Sequence, residues 1–327
     1  MTRAVLYPGD CLATLRTLPA GVARCCVTSP PYFGLRDYGV PGQIGLESSP
    51  TEFVARLVEV FREVRRVLAD DGTLWLNLGD SYVSAPQGPD LSSCGLDGTR
   101  RNMAESRRLA GSFRRDRREV GGTKHRRGGD LPAKNLLGIP WRVAFALQED
   151  GWFLRSDIIW HKPNPMPESV KDRPTKAHEY VFLLSKRERY YYDAGAIAEE
   201  SENAGLLRSF GNAKRAGSLD GTRTGNERLG APAVPVPPTR NARSVWSIAT
   251  QPYPEAHFAT FPEELPSRCI RAGSAPGDTV LDPFGGSGTT GAVAVGLGRK
   301  AILCELNPAY IELARQRIGP MLCEVAA

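Results

Sequence analysis

Thr279-Val280-Leu281-Asp282-Pro283-Phe284-Gly285-Gly286-Ser287-Gly288-Thr289-Thr290 is the stretch from which the fold is read. Its first four residues are an apolar run of strand length. Three glycines follow within four positions, where the backbone can approach a ligand closely. Residues 291–297 carry a helical pattern, so the glycines sit at a helix N-terminus, a place suited to anions and polar ligands. A second apolar run, Lys300-Ala301-Ile302-Leu303-Cys304, ends in Glu305. That acid lies about 20 residues past the loop, where nucleotide-binding folds place the carboxylate that meets ribose hydroxyls. No Lys-Ser/Thr follows the glycines, so the loop is not a P-loop. Asn307-Pro308 opens a final helix through Ile318.

The same alternation runs through the N-terminal quarter. Val5-Leu6-Tyr7 reads as a strand and Cys11–Leu18 as a short helix. Val22–Val27 is a strand that stops at Thr28-Ser29-Pro30-Pro31-Tyr32. Phe53, Leu57, Val60, Phe61, Val64 and Leu68 share one face of a helix, which Asp70-Asp71-Gly72 is expected to end. Thr73–Leu78 is nearly all apolar, as a parallel strand buried on both faces requires. Further on, a helix is expected over 135–149 and a strand over 153–160. A hairpin is expected to pair Glu179–Leu184 with Tyr190–Tyr192. Strand, helix, strand, repeated, points to an α/β fold with a parallel sheet.

Two regions break the rhythm. Residues 85–133 are rich in Gly, Ser and Arg. Between 85 and 130, eleven Lys or Arg face six Asp or Glu, and the excess of five is nearly the whole net charge of +6. Such a stretch is either a solvated basic insertion or a footprint for phosphates. Residues 199–245 are polar, with Arg208, Lys214, Arg215 and Arg223. The organisation expected is two halves of one catalytic domain, 1–84 with 134–198 and 246–327, interrupted by the basic insertion and a target-recognition region at 199–245.

The 327 residues are 41% hydrophobic and 24% charged, ordinary for a globular chain. No apolar run reaches 18 residues, and the first ten residues lack the apolar core of a secretory signal, so a cytoplasmic location without membrane attachment is expected. The seven cysteines include no C-x-x-C pair, which argues for reduced thiols and against a metal site.

Ser29-Pro30-Pro31-Tyr32 places a hydroxyl, a backbone carbonyl and an aromatic face at the carboxyl end of a strand, where open α/β sheets bind ligands. This set suits a planar base with an exocyclic amino group. The amino hydrogens can meet Ser29 Oγ and the Pro30 carbonyl, and the ring can stack on Tyr32. Asp80, at the end of the strand over 73–78, is a candidate to assist proton loss or a turn-capping residue.

Together, 28–32, 282–288 and Glu305 resemble the beta group of amino-methylating DNA methyltransferases. Motif order matches: catalytic loop first, recognition region in the middle, cofactor loop last. His257–Pro262 and Trp160-His161-Lys162-Pro163-Asn164 with His178-Glu179-Tyr180 resemble further blocks of that family. The resemblance implies a circularly permuted, seven-stranded Rossmann-like sheet with helices on both faces, and S-adenosyl-L-methionine as cofactor. It implies that Phe284 and Gly285, with Asp282 nearby, line the methionine part. Glu305 would take the ribose, Asp10 and Cys11 the adenine end, and Phe261 and Pro262 would close the pocket. Thr28, Pro283, Ser287, Gly288, Thr289, Leu306 and Asn307 complete the implied cofactor set. Arg36, Lys162, Arg208, Lys214, Arg215 and Arg223 are the implied contacts to double-stranded DNA.

In that family Ser at the first motif position leans to cytosine N4 and Asp to adenine N6, so Ser29 implies N4-cytosine, with N6-adenine or a silent nucleic-acid-binding protein as alternatives. A partnered restriction endonuclease is implied, and either a monomer or a homodimer. Carbon-5 methylation needs a thiolate, and no Pro-Cys dipeptide is present. A nicotinamide dehydrogenase would share the glycine loop and the acid but leaves Ser29–Tyr32 unexplained.

Overall fold

The computed structural model describes residues 3–83, 131–208, 234–251 and 261–326. Its strands are β1 (Ala4–Pro8), β2 (Ala23–Thr28), β3 (Leu68–Leu78), β4 (Phe153–His161), β5 (His178–Ser185), β6 (Glu199–Glu200), β7 (Leu207–Arg208), β8 (Val234–Pro235), β9 (Thr239–Arg240), β10 (Val245–Ser247), β11 (Thr279–Asp282), β12 (Lys300–Glu305) and β13 (Cys323–Val325). The helices are α1 (Cys11–Thr17), α2 (Pro50–Val67), α3 (Ile139–Glu149), α4 (Glu264–Gly273), α5 (Thr289–Gly296) and α6 (Pro308–Ile318).

One sheet of nine strands carries the fold, in the order β10-β4-β5-β3-β2-β11-β12-β1-β13. Seven strands were expected; the two three-residue edge strands β10 and β13 extend that set. Within this sheet only β5 runs antiparallel, to both β3 and β4. The expected hairpin is therefore absent. Both edges of β5 are already paired, and Tyr191 N–H instead meets the Asp71 carbonyl at 2.9 Å.

Side chains alternate across the sheet with the period of two that strands impose. Cys26, Leu74, Leu76, Phe182 and Leu281 face a core closed by α1, α2 and α3. Cys25, Val27, Trp75, Val181, Val280 and Leu303 face a second core closed by α4, α5 and α6. Burial on both faces explains why β3 reads as a continuous apolar run.

The helices begin where their caps dictate. Ser49 accepts the Glu52 N–H at 3.2 Å and Pro50 sets the first turn of α2. α2 ends at Val67, three residues before Asp70-Asp71-Gly72, which is drawn into β3 as a register shift: Ala23 pairs with Leu68 but Cys25 with Thr73. α3 starts at Ile139 rather than 135, because Leu136 pairs with Tyr82 and Gly138 turns at φ 68°. α5 starts two residues earlier than read, at Thr289, straight from Gly288 at φ 79°. A Cβ there would sit 2.8 Å from Ala314, so only glycine lets α6 lie this close.

β2 and β11 are neighbours at the centre of the sheet. The chain leaves β2 toward β3 on one side and β11 toward β12 on the other. This is a topological switch point, and the carboxyl ends of β2 and β11 open together onto one crevice. The strands nearest the two ends of the described chain also lie side by side, Ala4 opposite Cys323.

Candidate active site

The crevice is a cleft of about 1010 Å³ at the carboxyl ends of the central strands. The chain brings to it nearly every residue singled out above. Asp10, Cys11, Ser29, Pro30, Pro31, Tyr32, Arg36, Asp80, Lys162, Phe261, Asp282, Pro283, Phe284, Gly285, Ser287, Thr289, Glu305, Leu306 and Asn307 all line it. Thr28, Pro262 and Gly288 do not; they stand behind the wall. Thr28 is buried and its hydroxyl donates to Asp282 Oδ1 at 2.6 Å. The Pro262 carbonyl accepts the Leu265 N–H in the first turn of α4. Arg208 lies in β7, and Lys214, Arg215 and Arg223 lie outside the described residues.

One half of the cleft is gathered around Glu305 and the glycine turn. Glu305 closes β12, and its two oxygens accept the N–H groups of Gly286 at 2.7 Å and Asn307 at 2.8 Å. Burial pushes its carboxyl above the ordinary 4.5. Burial likewise raises Asp282, although Thr28 and the Phe284 N–H at 3.0 Å oppose the shift. Arg317, from α6, braces the loop by donating to Ser287 at 3.2 Å and Thr289 at 2.8 Å. It also reaches Glu263, two residues past Phe261, at 3.0 Å. Asp10 caps α1 through the Ala13 N–H at 2.8 Å. The donor set, a buried acid beside a glycine turn and an aromatic at the rim, fits a nucleoside-bearing cofactor.

The other half surrounds the proline motif. The Tyr32 ring packs against Gly79, where a Cβ would come within 2.5 Å of the ring. Its hydroxyl donates to Glu179 Oε2 at 2.6 Å. Asn77, next to last in β3, directs its Nδ2 toward Tyr32 Oη at 2.9 Å, Glu179 Oε2 at 3.0 Å and Ser29 Oγ at 3.3 Å. Burial first, and the Glu179 charge second, push the Tyr32 phenol well above its ordinary value, so it stays a donor.

Two residues have partners the sequence did not show. Lys162, read as a contact to DNA, has its ammonium paired with Glu179 and 4.3 Å from the centre of the Trp160 ring, inside the cleft. Asp80 was read as a candidate for proton loss or as a turn-capping residue. Its carboxylate lines the cleft but accepts the N–H groups of Ser81, Gly138 and Ile139 at 2.9–3.1 Å, which anchors the start of α3. Sequence reasoning passed over Asn77 and gave Glu179 no role. Asn77 left a signal: a carboxamide in the run Leu74-Trp75-Leu76-Asn77-Leu78 is a buried polar group that needs a reason. Glu179 showed only as part of a family-like block; its partners, 147, 102 and 17 positions away, left no local signal.

Such a sheet, with a glycine-loop cofactor half beside a catalytic strand end, is the fold of S-adenosyl-L-methionine-dependent methyltransferases. A family model described as DNA methylase, covering the N6 and N4 methyltransferases, matches residues 23–316. Type II methyltransferase M.Cfr9I of Citrobacter freundii is 48% identical over 318 residues, 96% of this chain and 87% of that protein. M.SmaI of Serratia marcescens is 44% identical over 311 residues, 95% of this chain and 89% of that protein. Among solved structures, the PvuII DNA methyltransferase (cytosine-N4-specific) superposes with a TM-score of 0.61 at 21% identity, over 98% of this chain and 87% of that one. A DNA modification methylase of Thermus thermophilus, in complex with S-adenosyl-L-methionine, gives 0.56 at 22% identity, over 99% of this chain and all of the other. The chain belongs to the N6/N4 DNA methylase family and is a DNA methyltransferase that uses S-adenosyl-L-methionine.

Proposed function

We propose that this enzyme methylates the exocyclic N4 of a cytosine flipped out of duplex DNA. The observation that carries the reading is Ser29 at the first position of Ser29-Pro30-Pro31-Tyr32, on the cleft wall beside the cofactor half. Two further facts support it: the family lean of Ser toward cytosine, and the cytosine-N4 specificity of the PvuII enzyme of like fold.

The cofactor, when bound, supplies an electrophilic methyl group on a sulfonium. The residues of this chain do the rest. Asp282, Phe284 and Gly285 line its methionine end, Glu305 accepts from its ribose hydroxyls, and Asp10 and Cys11 flank its adenine. The target base leaves the stack because its amino group is unreachable in the duplex. That amine is a poor nucleophile while its lone pair feeds the ring. Ser29 Oγ and the Pro30 carbonyl take its two hydrogens and favour a pyramidal nitrogen aimed at the methyl group. No thiol adduct is proposed: the catalytic motif holds no Pro-Cys, and burial raises both cysteines on the cleft wall, Cys11 and Cys304, above the ordinary thiol value. The product proton passes to cleft water, with Asp80 bordering the same space.

Residues 199–245 are proposed to read the target sequence, on the small sheets β6–β9 and β7–β8, and 85–133 to meet phosphates. Arg36, at the cleft rim, is proposed as a backbone contact. The type II relatives support a restriction-modification role with a cognate endonuclease. Among the described residues no helix is long and apolar enough to cross a membrane; a cytoplasmic monomer or homodimer is proposed. Nucleoside mass spectrometry of DNA incubated with methyl-labelled cofactor tests the reading. Labelled N4-methylcytosine is the expected product; N6-methyladenine would overturn the cytosine assignment.

A further inference from the structure

The catalytic motif is held in place by a charged pair that it does not contain. Glu179 and Lys162 come from β5 and from just past β4, and their side chains are 15% and 19% exposed. Glu179 turns Oε1 to Lys162 and Oε2 to both Tyr32 and Asn77. Asn77 then reaches Ser29 Oγ. A continuous chain of polar contacts thus runs from the ammonium to the one hydroxyl in the motif that can meet a target amine. Gly79 packs against the Tyr32 ring closely enough that a Cβ there would meet it, which limits movement on that side.

We propose that Glu179 is a positioning residue for methyl transfer: through Tyr32 and Asn77 it fixes where the Ser29 hydroxyl points, and Lys162 holds Glu179 in place. The inference rests on the reading of Ser29 as the group that meets the amine. With Asn77 donating to it, Ser29 Oγ keeps a second lone pair for the incoming N–H. The residue acts on orientation rather than on affinity, so its loss is felt in the transfer step and not in cofactor binding.

The test is a double-mutant cycle in the full-length protein. Single-turnover methyl transfer from labelled S-adenosyl-L-methionine to a duplex pool of randomised sequence is measured for wild type, Glu179→Gln, Ser29→Ala and the double variant. Binding of S-adenosylhomocysteine is measured by calorimetry for each. Glu179→Gln is expected to slow transfer about 100-fold while the cofactor-product Kd stays within about twofold. The double variant is expected to be no slower than the slower single one. Losses that multiply, an unchanged rate, or a Kd that weakens in step with the rate would each overturn the proposal. Should Glu179→Gln fail to fold, Lys162→Met/Glu179→Gln removes the ammonium with the carboxylate and enters the same cycle. A wild type that leaves no label on the pool overturns the methyl-transfer reading itself, and this inference with it.

Discussion

The Thr28 hydroxyl donates to Asp282 Oδ1 across 2.6 Å, joining positions 254 apart in sequence. It is a buried bond between the last residues of the two central strands, and it sets the catalytic turn against the cofactor turn. The acceptor is a carboxylate with little water to fall back on, so the bond is worth more than a surface contact.

Replacing Thr28 with Val keeps the shape and leaves Asp282 short of a donor. Stability is expected to fall by about 1–3 kcal/mol, read as a lower urea midpoint. Cofactor affinity is expected to weaken as well, because Asp282 lines the cleft. An unchanged midpoint would show that the bond contributes nothing net.

Ser29→Ala removes an acceptor without enlarging the side chain. Turnover is expected to drop by about 100-fold, with the dissociation constant for S-adenosylhomocysteine unaltered. A weakened constant would move Ser29 into the cofactor half of the cleft.

Glu305 couples affinity to pH. Its carboxyl is raised above 4.5 by burial. The folded, cofactor-free protein therefore keeps a proton that the unfolded chain has lost, and stability from this group declines as pH rises from about 4.5 through the raised value. Against Glu305→Gln, the wild-type urea midpoint is expected to fall progressively behind over that interval. The same variant is expected to bind S-adenosylhomocysteine about tenfold or more weakly at neutral pH. Parallel midpoint curves for the two proteins would show that Glu305 titrates normally.

Asp80→Ala strips three N–H groups of their acceptor at the entry to α3. A loss of about 1 kcal/mol is expected, as for other helix-start acceptors. Asp80→Asn, which keeps one oxygen, is expected to recover part of it. Transfer rates that fall far more than stability in Asp80→Asn would restore its role in proton loss.

The parts of this molecule that were legible in sequence are those written locally. Strand runs, the α2 stripe, the glycine turn and Glu305 each signal themselves within about 25 residues. What escaped depends on distant pairing. Tyr190–Tyr192 looked like a strand, but whether it has a partner depends on β3 and β4 having already taken both edges of β5. Lys162 was read as a contact to DNA, and its pairing with an acid on another strand could not be seen in the sequence. Asp80 showed its type but not its three backbone partners. The motif Ser29–Tyr32 was readable as chemistry, while the Asn77 and Glu179 scaffold behind it was not.

Ala4 and Cys323 face each other across adjacent strands. The order in which this chain writes its motifs is therefore a matter of where the ribbon is cut. The two strands run parallel, so residue 326 lies beside Leu6 while residue 3 lies beside Leu322. A gene that joined 326 to 3 through an added connection running back along the strands, and began instead between β10 and α4, would translate the cofactor half first and the catalytic turn second, with the central strands keeping their neighbours.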